Sequence, residues 1–376
     1  MYKLRPKQKF LIELFSLLIR PFLHVTKRNE KVELKKVKNI LIVDTIDVLG
    51  DMVILLPFLR ILKQNAPFAE ITICARPLAL AVFKEQDVLD KFIPCSFNDS
   101  LIYKRKIIKE LNNNNYDMIL NPGGDFRDIL FMYFIKGKRK ISHTRTGGEF
   151  LLTDPIPADY TNEFSHALED RLYVLKQIGC TFKEGDKYPR IILNKFYKNY
   201  NEEFLLQHDL KDKLLIGIHP GASGIVREWP YYGELMNTIE NTEKNVFFLV
   251  FAGPNDIENI KNIEKTYKGN NLLVIREKLE NYISLVNVCD YFISNDSGAA
   301  HVAAAYGKPT IDIFTNNIPE RWKPYNFNQS TICISHSLPC KPCYKRNKCK
   351  LGNYKCKYDI TVEEVFEKYK LLKKFG

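Results

Sequence analysis

From Lys38 onward, apolar runs of strand length alternate with longer segments whose apolar positions recur at helical spacing. KNILIVD (38–44) is a continuous apolar run suited to a parallel strand buried on both faces. A short loop follows, and MVILLPFLRILKQN (52–65) reads as a helix. EITICA (70–75) predicts a strand, as does DMILNPGG (117–124), which runs into a glycine turn. HALEDRLYVLKQIG (166–179) predicts a helix stopped near Gly179. Residues 180–212 are polar and lack a strong period. The alternation then resumes. KLLIGIHPGASG, NVFFLVFAGPND, LLVIRE and YFISNDSG predict strands, most of them ending in glycine turns, and PYYGELMNTIE and YISLVNVCD predict helices between them. TIDIF (310–314) is the last clear strand.

This order predicts an α/β protein made of two successive parallel-sheet units. The first spans 37–190 and the second 210–335, with a linker near 185–212 between them. A basic amphipathic segment, 1–36, precedes them, and a cysteine cluster with a C-terminal helix, 336–376, follows. In open α/β sheets the loops at the carboxyl ends of the strands carry the ligand chemistry.

The chain has 376 residues, which suits two domains of roughly 100–200 residues each. Its net charge of +12 is unevenly placed. Residues 1–40 carry 11 Lys or Arg against 3 acids, and residues 340–376 carry 11 against 4, so the body between them is slightly acidic. Basic ends on an acidic body argue against a nucleic-acid stripe across the fold and point to an anionic membrane surface or phosphorylated lipid. Near the start, Phe10, Leu11, Ile12, Leu14, Phe15, Leu17, Leu18 and Ile19 form an apolar face interrupted by Glu13, Ser16 and Arg20. Such a helix either lies in a membrane interface or packs on the protein's own body. It does not span, because no stretch approaches the ~20 apolar residues required. With no secretory cleavage site, the expected compartment is the cytoplasm, with peripheral attachment to the inner membrane.

Three loops follow strands and carry candidate chemistry. The first leads from Asp44 through Gly50 and Asp51 into a helix. Asp51 there is either a helix cap or a general base facing the substrate. The second contains Gly221, Ser223 and Arg227 before Trp229-Pro230. Its small residues allow close backbone approach, and Arg227 can pair with phosphate through two parallel hydrogen bonds. The third, Asn295-Asp296-Ser297-Gly298 with His301 one turn further, offers free N–H groups, a glycine and a hydroxyl at a helix start, which together suit an anion.

Together these loops resemble the bacterial heptosyltransferases of glycosyltransferase family 9, which act in lipopolysaccharide core assembly. The resemblance rests on Leu-Gly-Asp-Met-Val-Ile-Leu-Leu-Pro (49–57), His-Pro-Gly-Ala-Ser (219–223) with Trp229-Pro230, and Asn-Asp-Ser-Gly-Ala-Ala-His (295–301). It implies a GT-B fold, two Rossmann-like domains facing across a cleft, with acceptor on the first and nucleotide sugar on the second. It implies that Asp51 is the base and that Arg227 contacts donor phosphate. It likewise places Asp296, Ser297 and Gly298 on the diphosphate and matches His301 to the family's histidine. Asp44 and Asp47 depart from the more basic or hydroxylated residues often found there. The implied reaction is inverting transfer of a sugar, with ADP-heptose as donor and a lipid-linked saccharide as acceptor. No Asp-x-Asp metal motif is evident, so no cofactor is expected for catalysis.

Of nine cysteines, Cys74, Cys95, Cys180, Cys289 and Cys333 are scattered in apolar surroundings and read as buried small hydrophobes. Cys340, Cys343, Cys349 and Cys356 cluster, with the count for a structural zinc or iron–sulfur site; disulfides or free thiols are the alternative. Two other functions fit parts of the pattern. A nucleotide-sugar epimerase of the same fold would consume donor without an acceptor and leave the amphipathic start without a role. A nucleic-acid-binding module would show salt-sensitive oligonucleotide binding and leave the three loops unexplained.

Overall fold

The computed structural model describes residues 25–27, 32–46, 48–157, 165–343, 345 and 347–375. The chain divides into two units, Met1–Lys187 and Tyr188–Gly376.

In the first unit, β1 (Asn39–Asp44) is the central apolar run, and its last five residues are buried. It leads into α1 (Leu49–Asn65), then β2 (Glu70–Ala75), β3 (Lys91–Pro94), α2 (Leu101–Leu111) and β4 (Tyr116–Asn121). α3 (Phe126–Tyr133), β5 (Gly137–His143), β6 (Asp154–Ile156) and α4 (Ala167–Gln177) complete the unit. The strands form one six-stranded sheet in the order β3-β2-β1-β4-β5-β6. Every pairing is parallel. The strand order reverses between β1 and β4, so the loops that follow these two strands diverge at the switch point of the sheet. One face of the sheet is packed by Ile107 and Leu111 of α2 with Phe126, Ile129 and Met132 of α3.

The second unit begins with α5 (Lys195–Gln207), followed by β7 (Leu214–His219), α6 (Tyr232–Glu240), β8 (Val246–Phe251) and α7 (Ile257–Thr266). Then come β9 (Leu272–Ile275), α8 (Leu279–Val286), β10 (Tyr291–Asn295), α9 (Gly298–Ala305), β11 (Thr310–Ile313), β12 (Thr331–Ile334) and α10 (Val362–Leu372). Its sheet runs β12-β11-β10-β7-β8-β9, again all parallel, and reverses between β7 and β10.

Three features differ from the reading of the sequence. The segment 185–212, read as a linker, contains α5, capped by Asn194, with Asn201 and Phe204 buried and Asn201 bonded to α8. Ser284 donates to Asn201 at 2.6 Å, and Asn201 donates back to the Ser284 carbonyl at 3.0 Å. A helix buried through an amide network shows little apolar periodicity, which is why it escaped. TIDIF is not the last strand, because Thr331–Ile334 adds a parallel edge beside β11. The C-terminal helix, set apart in the sequence reading, belongs to the second unit's core: Val365, Tyr369 and Leu372 are fully buried with Trp229 and Tyr232. The amphipathic segment's apolar face and Asp47 lie outside the described residues. Cys74, Cys95, Cys180 and Cys289 are buried as free thiols and Cys333 is half-buried, in keeping with apolar packing. Among the described residues no helix is long and apolar enough to cross a membrane.

Candidate active site

In the first unit the loop after β1 is fixed from below. Asp128 in α3 is buried and accepts from the Thr45 N–H at 3.3 Å and from the Thr45 hydroxyl at 2.5 Å. Asn121 at the end of β4 donates to the Val43 carbonyl at 2.8 Å. The chain then enters α1, and Asp51 falls in its first turn. One carboxylate oxygen of Asp51 accepts from the Val48 N–H at 3.4 Å, a long bond of the capping kind. The other accepts from the Arg171 guanidinium at 3.0 Å. Arg171 projects from α4, its side chain only 5% exposed, and also donates to the Ala167 carbonyl at 3.0 Å. A capping carboxylate needs no buried guanidinium. The ion pair therefore fixes the orientation of Asp51 beyond what a cap requires. Beside it, Asp170 pairs with Arg145 and accepts from Ser165 at 2.6 Å.

Arg171 was not singled out from the sequence, although a signal was there. Leu168, Leu172 and Leu175 occupy the buried stripe of α4, and position 171 lies one turn from 168 and from 175 on that same face. A charged residue on an apolar stripe is a buried charge in search of a partner.

In the second unit the predicted donor residues come from two loops that follow adjacent strands, β7 and β10, at the switch point. Asn295 ties them together. It donates to the Pro220 carbonyl at 2.6 Å and accepts from the Trp229 N–H at 3.0 Å. Arg227, in a single 3-10 turn, pairs with Asp296 at 3.4 Å. Asn317, from the loop after β11, donates to the same Asp296 oxygen at 3.0 Å. An anionic carboxylate is a poor direct neighbour for a diphosphate. Asp296 is better suited to aiming Arg227 than to touching phosphate. Ser297 precedes the first residue of α9, Gly298, and its hydroxyl lies 2.9 Å from that of Ser294. The first N–H groups of α9 and the positive end of its dipole thus sit beside the Arg227 guanidinium's loop.

Gly221 is required by its surroundings: a Cβ there would lie 2.2 Å from an Asp256 carboxylate oxygen. Ser223 is exposed on the same loop, and His301 is buried one turn into α9. His219 closes β7. Its Nδ1 lies 2.9 Å from the Phe251 carbonyl and 3.0 Å from the Tyr282 hydroxyl, and burial pulls the imidazole below its ordinary value. It is a neutral brace for the loop. Asn317 and Asp256 are the supporting residues that sequence reasoning did not name, because an amide or a carboxylate in a loop carries no periodic signal.

The cysteine segment is laced onto the same region. The Cys343 N–H donates to the Asn316 carbonyl at 2.8 Å, and Asn316 donates back to the Cys343 and Lys345 carbonyls. Lys357 donates to the Ile225 carbonyl at 3.0 Å, and Trp229 donates to that of Ile360 at 2.8 Å. Burial lowers the Lys341 ammonium to about 8, and its Nζ donates to the Phe314 carbonyl at 2.9 Å. Cys340, Cys343 and Cys349 line one cavity of about 240 Å³ with Lys345, Lys350 and Leu351. Cys356 is buried and within electrostatic reach of all three. Backbone N–H groups of Tyr354, Leu351, Gly352 and Asn353 hold the Cys349 thiol below its usual range. The four thiols are gathered, but among the described residues no three metal-ligating side chains are closed into a ligand set.

Two parallel sheets with reversing strand order, each with its candidate residues on loops beside the switch point, define an α/β architecture of the nucleotide-binding kind. Comparison with known proteins agrees. The description glycosyltransferase family 9 (heptosyltransferase) matches residues 104–355. Lipooligosaccharide heptosyltransferase 2 of Campylobacter jejuni is 24% identical over 336 residues, covering 87% of this chain and 96% of that protein. Among solved structures, the glycosyl transferase family 9 protein of Veillonella parvula aligns with a TM-score of 0.77 at 22% identity, covering 92% of this chain and 99% of its own. The E. coli ADP-heptose lps heptosyltransferase II aligns at 0.72 and 19% identity, covering 89% and 98%. The chain belongs to glycosyltransferase family 9, the heptosyltransferases, and has the GT-B fold. It is a glycosyltransferase, and this membership does not favour the epimerase or nucleic-acid-binding readings.

Proposed function

We propose that this enzyme transfers heptose from ADP-heptose, with inversion at the anomeric carbon, onto a lipopolysaccharide or lipooligosaccharide core held at the cytoplasmic face of the inner membrane. The observation that carries the reading is the pair of loops at the β7/β10 switch point, where Arg227 is held by Asp296 beside the start of α9. A guanidinium and a helix N-terminus together suit the two charges of a nucleoside diphosphate.

In the proposed step, an acceptor hydroxyl oxygen attacks the anomeric carbon as the bond from that carbon to the diphosphate oxygen breaks. ADP departs with the bonding electrons. Asp51 takes the hydroxyl proton, and Arg171 holds its carboxylate in place. Arg227 and the N–H groups at Ser297 and Gly298 stabilise the charge that develops on the leaving diphosphate. Gly221 allows the loop backbone to approach the donor, Ser223 adds a hydroxyl, and His301 backs the turn.

A panel of ADP-, UDP- and GDP-sugars screened by thermal shift tests the donor. Saturation at about 100 times Kd stabilises by about 2.7 kcal/mol. ADP-heptose is expected to raise the transition, and transfer to a heptose-deficient core should follow with an inverted linkage. A response to UDP- or GDP-sugars alone would refute the donor assignment.

For the cysteine cluster we propose a structural metal centre, zinc or iron–sulfur, with Cys340, Cys343, Cys349 and Cys356 as ligands. Gathering of three thiols around one cavity supports it, although closure of the set demands a shift from the arrangement described. No step of the transfer runs through it. Elemental analysis of purified protein decides the matter: one zinc or an iron–sulfur complement per chain is expected, and metal-free, fully folded protein contradicts it.

A further inference from the structure

Helix α2 differs from its neighbours in what it shows to solvent. Leu101 and Ile102, in its first turn, are 72% and 80% exposed. Ile107 and Leu111 take its buried positions, so the exposed pair lies off the stripe that faces the core. Lys104, Arg105, Lys106 and Lys109 follow, against the single acid Glu110, and Arg105, Lys106 and Lys109 are exposed. The turn leading into the helix adds Phe97, with the Lys104 amine 4.5 Å and the Arg127 guanidinium 4.6 Å from its ring centroid. At the far end Phe134 is 54% exposed, and its carbonyl accepts from Asn112 at 3.1 Å.

A helix that merely faces water gains nothing from an adjacent exposed Leu and Ile. Apolar side chains ringed by cations match a different surrounding, the boundary of a bilayer, where the apolar groups enter the acyl edge and the cations meet anionic headgroups. The position agrees with the chemistry. The Phe97 N–H donates to the Thr45 carbonyl at 3.0 Å, which ties this patch to the loop that runs from β1 to Asp51. We propose that the first turns of α2, with Leu101 and Ile102 set among Lys104, Arg105, Lys106 and Lys109, are a docking surface for an anionic phospholipid leaflet. The inference rests on the proposed lipid-linked acceptor for its purpose, and on the exposed residues for its chemistry.

The test uses the full chain carrying Ile102→Trp, since the two native tryptophans, Trp229 and Trp322, both belong to the second unit. Vesicles of phosphatidylcholine and phosphatidylglycerol at 3:1, with and without brominated lipid, are compared with pure phosphatidylcholine. Emission from position 102 is expected to shift to the blue and to be quenched by brominated lipid only when phosphatidylglycerol is present. Each cation near such a leaflet strengthens binding about fivefold. Arg105→Gln with Lys106→Gln should therefore weaken partitioning roughly 30-fold. Leu101→Ser with Ile102→Ser should weaken it in the chain without the reporter. Three results would overturn the proposal. Emission already blue in buffer and unmoved by vesicles would mean that another part of the chain covers the site. Partitioning equal to the unmodified chain in every variant would place docking elsewhere, and absence of binding to the anionic vesicles would leave a protein partner as the occupant. Transfer to a water-soluble, deacylated acceptor is measured alongside and should be unchanged in these variants. If the unmodified chain also fails to transfer, the enzymatic reading falls while the vesicle result stands on its own.

Discussion

Asp312 gives the sharpest prediction about the second unit. It lies in β11, 1% exposed, and neither carboxyl oxygen has a hydrogen-bond partner. Burial pushes its carboxyl well above the usual range, and the Asp296 carboxylate pushes the same way. In the unfolded chain the same group titrates near ~3.9. A folded value raised above the unfolded one means that its contribution to stability is intact below about pH 4 and is lost as pH rises. Each pH unit above that point costs about 1.4 kcal/mol until the folded group itself ionises. Asp312→Asn keeps the shape and removes the titration, and both neutral forms leave a similar polar group unsatisfied. The variant should therefore gain on the parent as pH rises above about 4, by up to about 1.4 kcal/mol per unit. Trp229 is 1% exposed in the core of this unit, and Trp322 belongs to the same unit, so tryptophan fluorescence in urea reports its unfolding. Stability curves that stay parallel for parent and variant from pH 4.5 to 7 would refute the reasoning.

Further outcomes follow from the site and the core. Arg171→Met should lower kcat by about 100-fold, the scale expected when a reacting group is misplaced by about 1 Å. Donor KM should change little, and Arg171→Lys should recover part of the rate; steady-state kinetics decide it. Arg227→Ala removes at least one charge-assisted bond worth about 1.5–3 kcal/mol, so kcat/KM for the donor should fall by at least roughly 10- to 150-fold. An unchanged donor dependence would remove Arg227 from the site. Leu372→Ala, at a fully buried position of α10, should destabilise the second unit by about 2–5 kcal/mol in the same urea titration, whereas an independent tail would show no change.

The sequence made the fold legible where strands are buried on both faces. Asn39–Asp44, Glu70–Ala75 and Val246–Phe251 are continuous apolar runs, and the sheet imposes that pattern on them directly. Edge strands such as Lys91–Pro94 and Thr331–Ile334 are four residues long and partly exposed, too short for a period to register. α5 was hidden because Asn201 and Ser284 satisfy each other in place of aliphatic packing. At the site, the residues that carry charge at loop ends could be named in advance. Those that hold them could not: Arg171 lies 120 positions from Asp51, and Asn317 lies 21 from Asp296. Such pairs exist only after the chain has crossed over between strands, so local spacing holds no trace of them.

Replacing Asp51 with Asn, and measuring turnover and ADP-heptose affinity on the same preparation, tests the central claim most directly. A general base contributes about 10²- to 10⁴-fold, so turnover at saturating donor should drop by that factor while donor affinity stays unchanged. Turnover within a few fold of the parent would reduce Asp51 to a helix cap held by Arg171 and contradict the account.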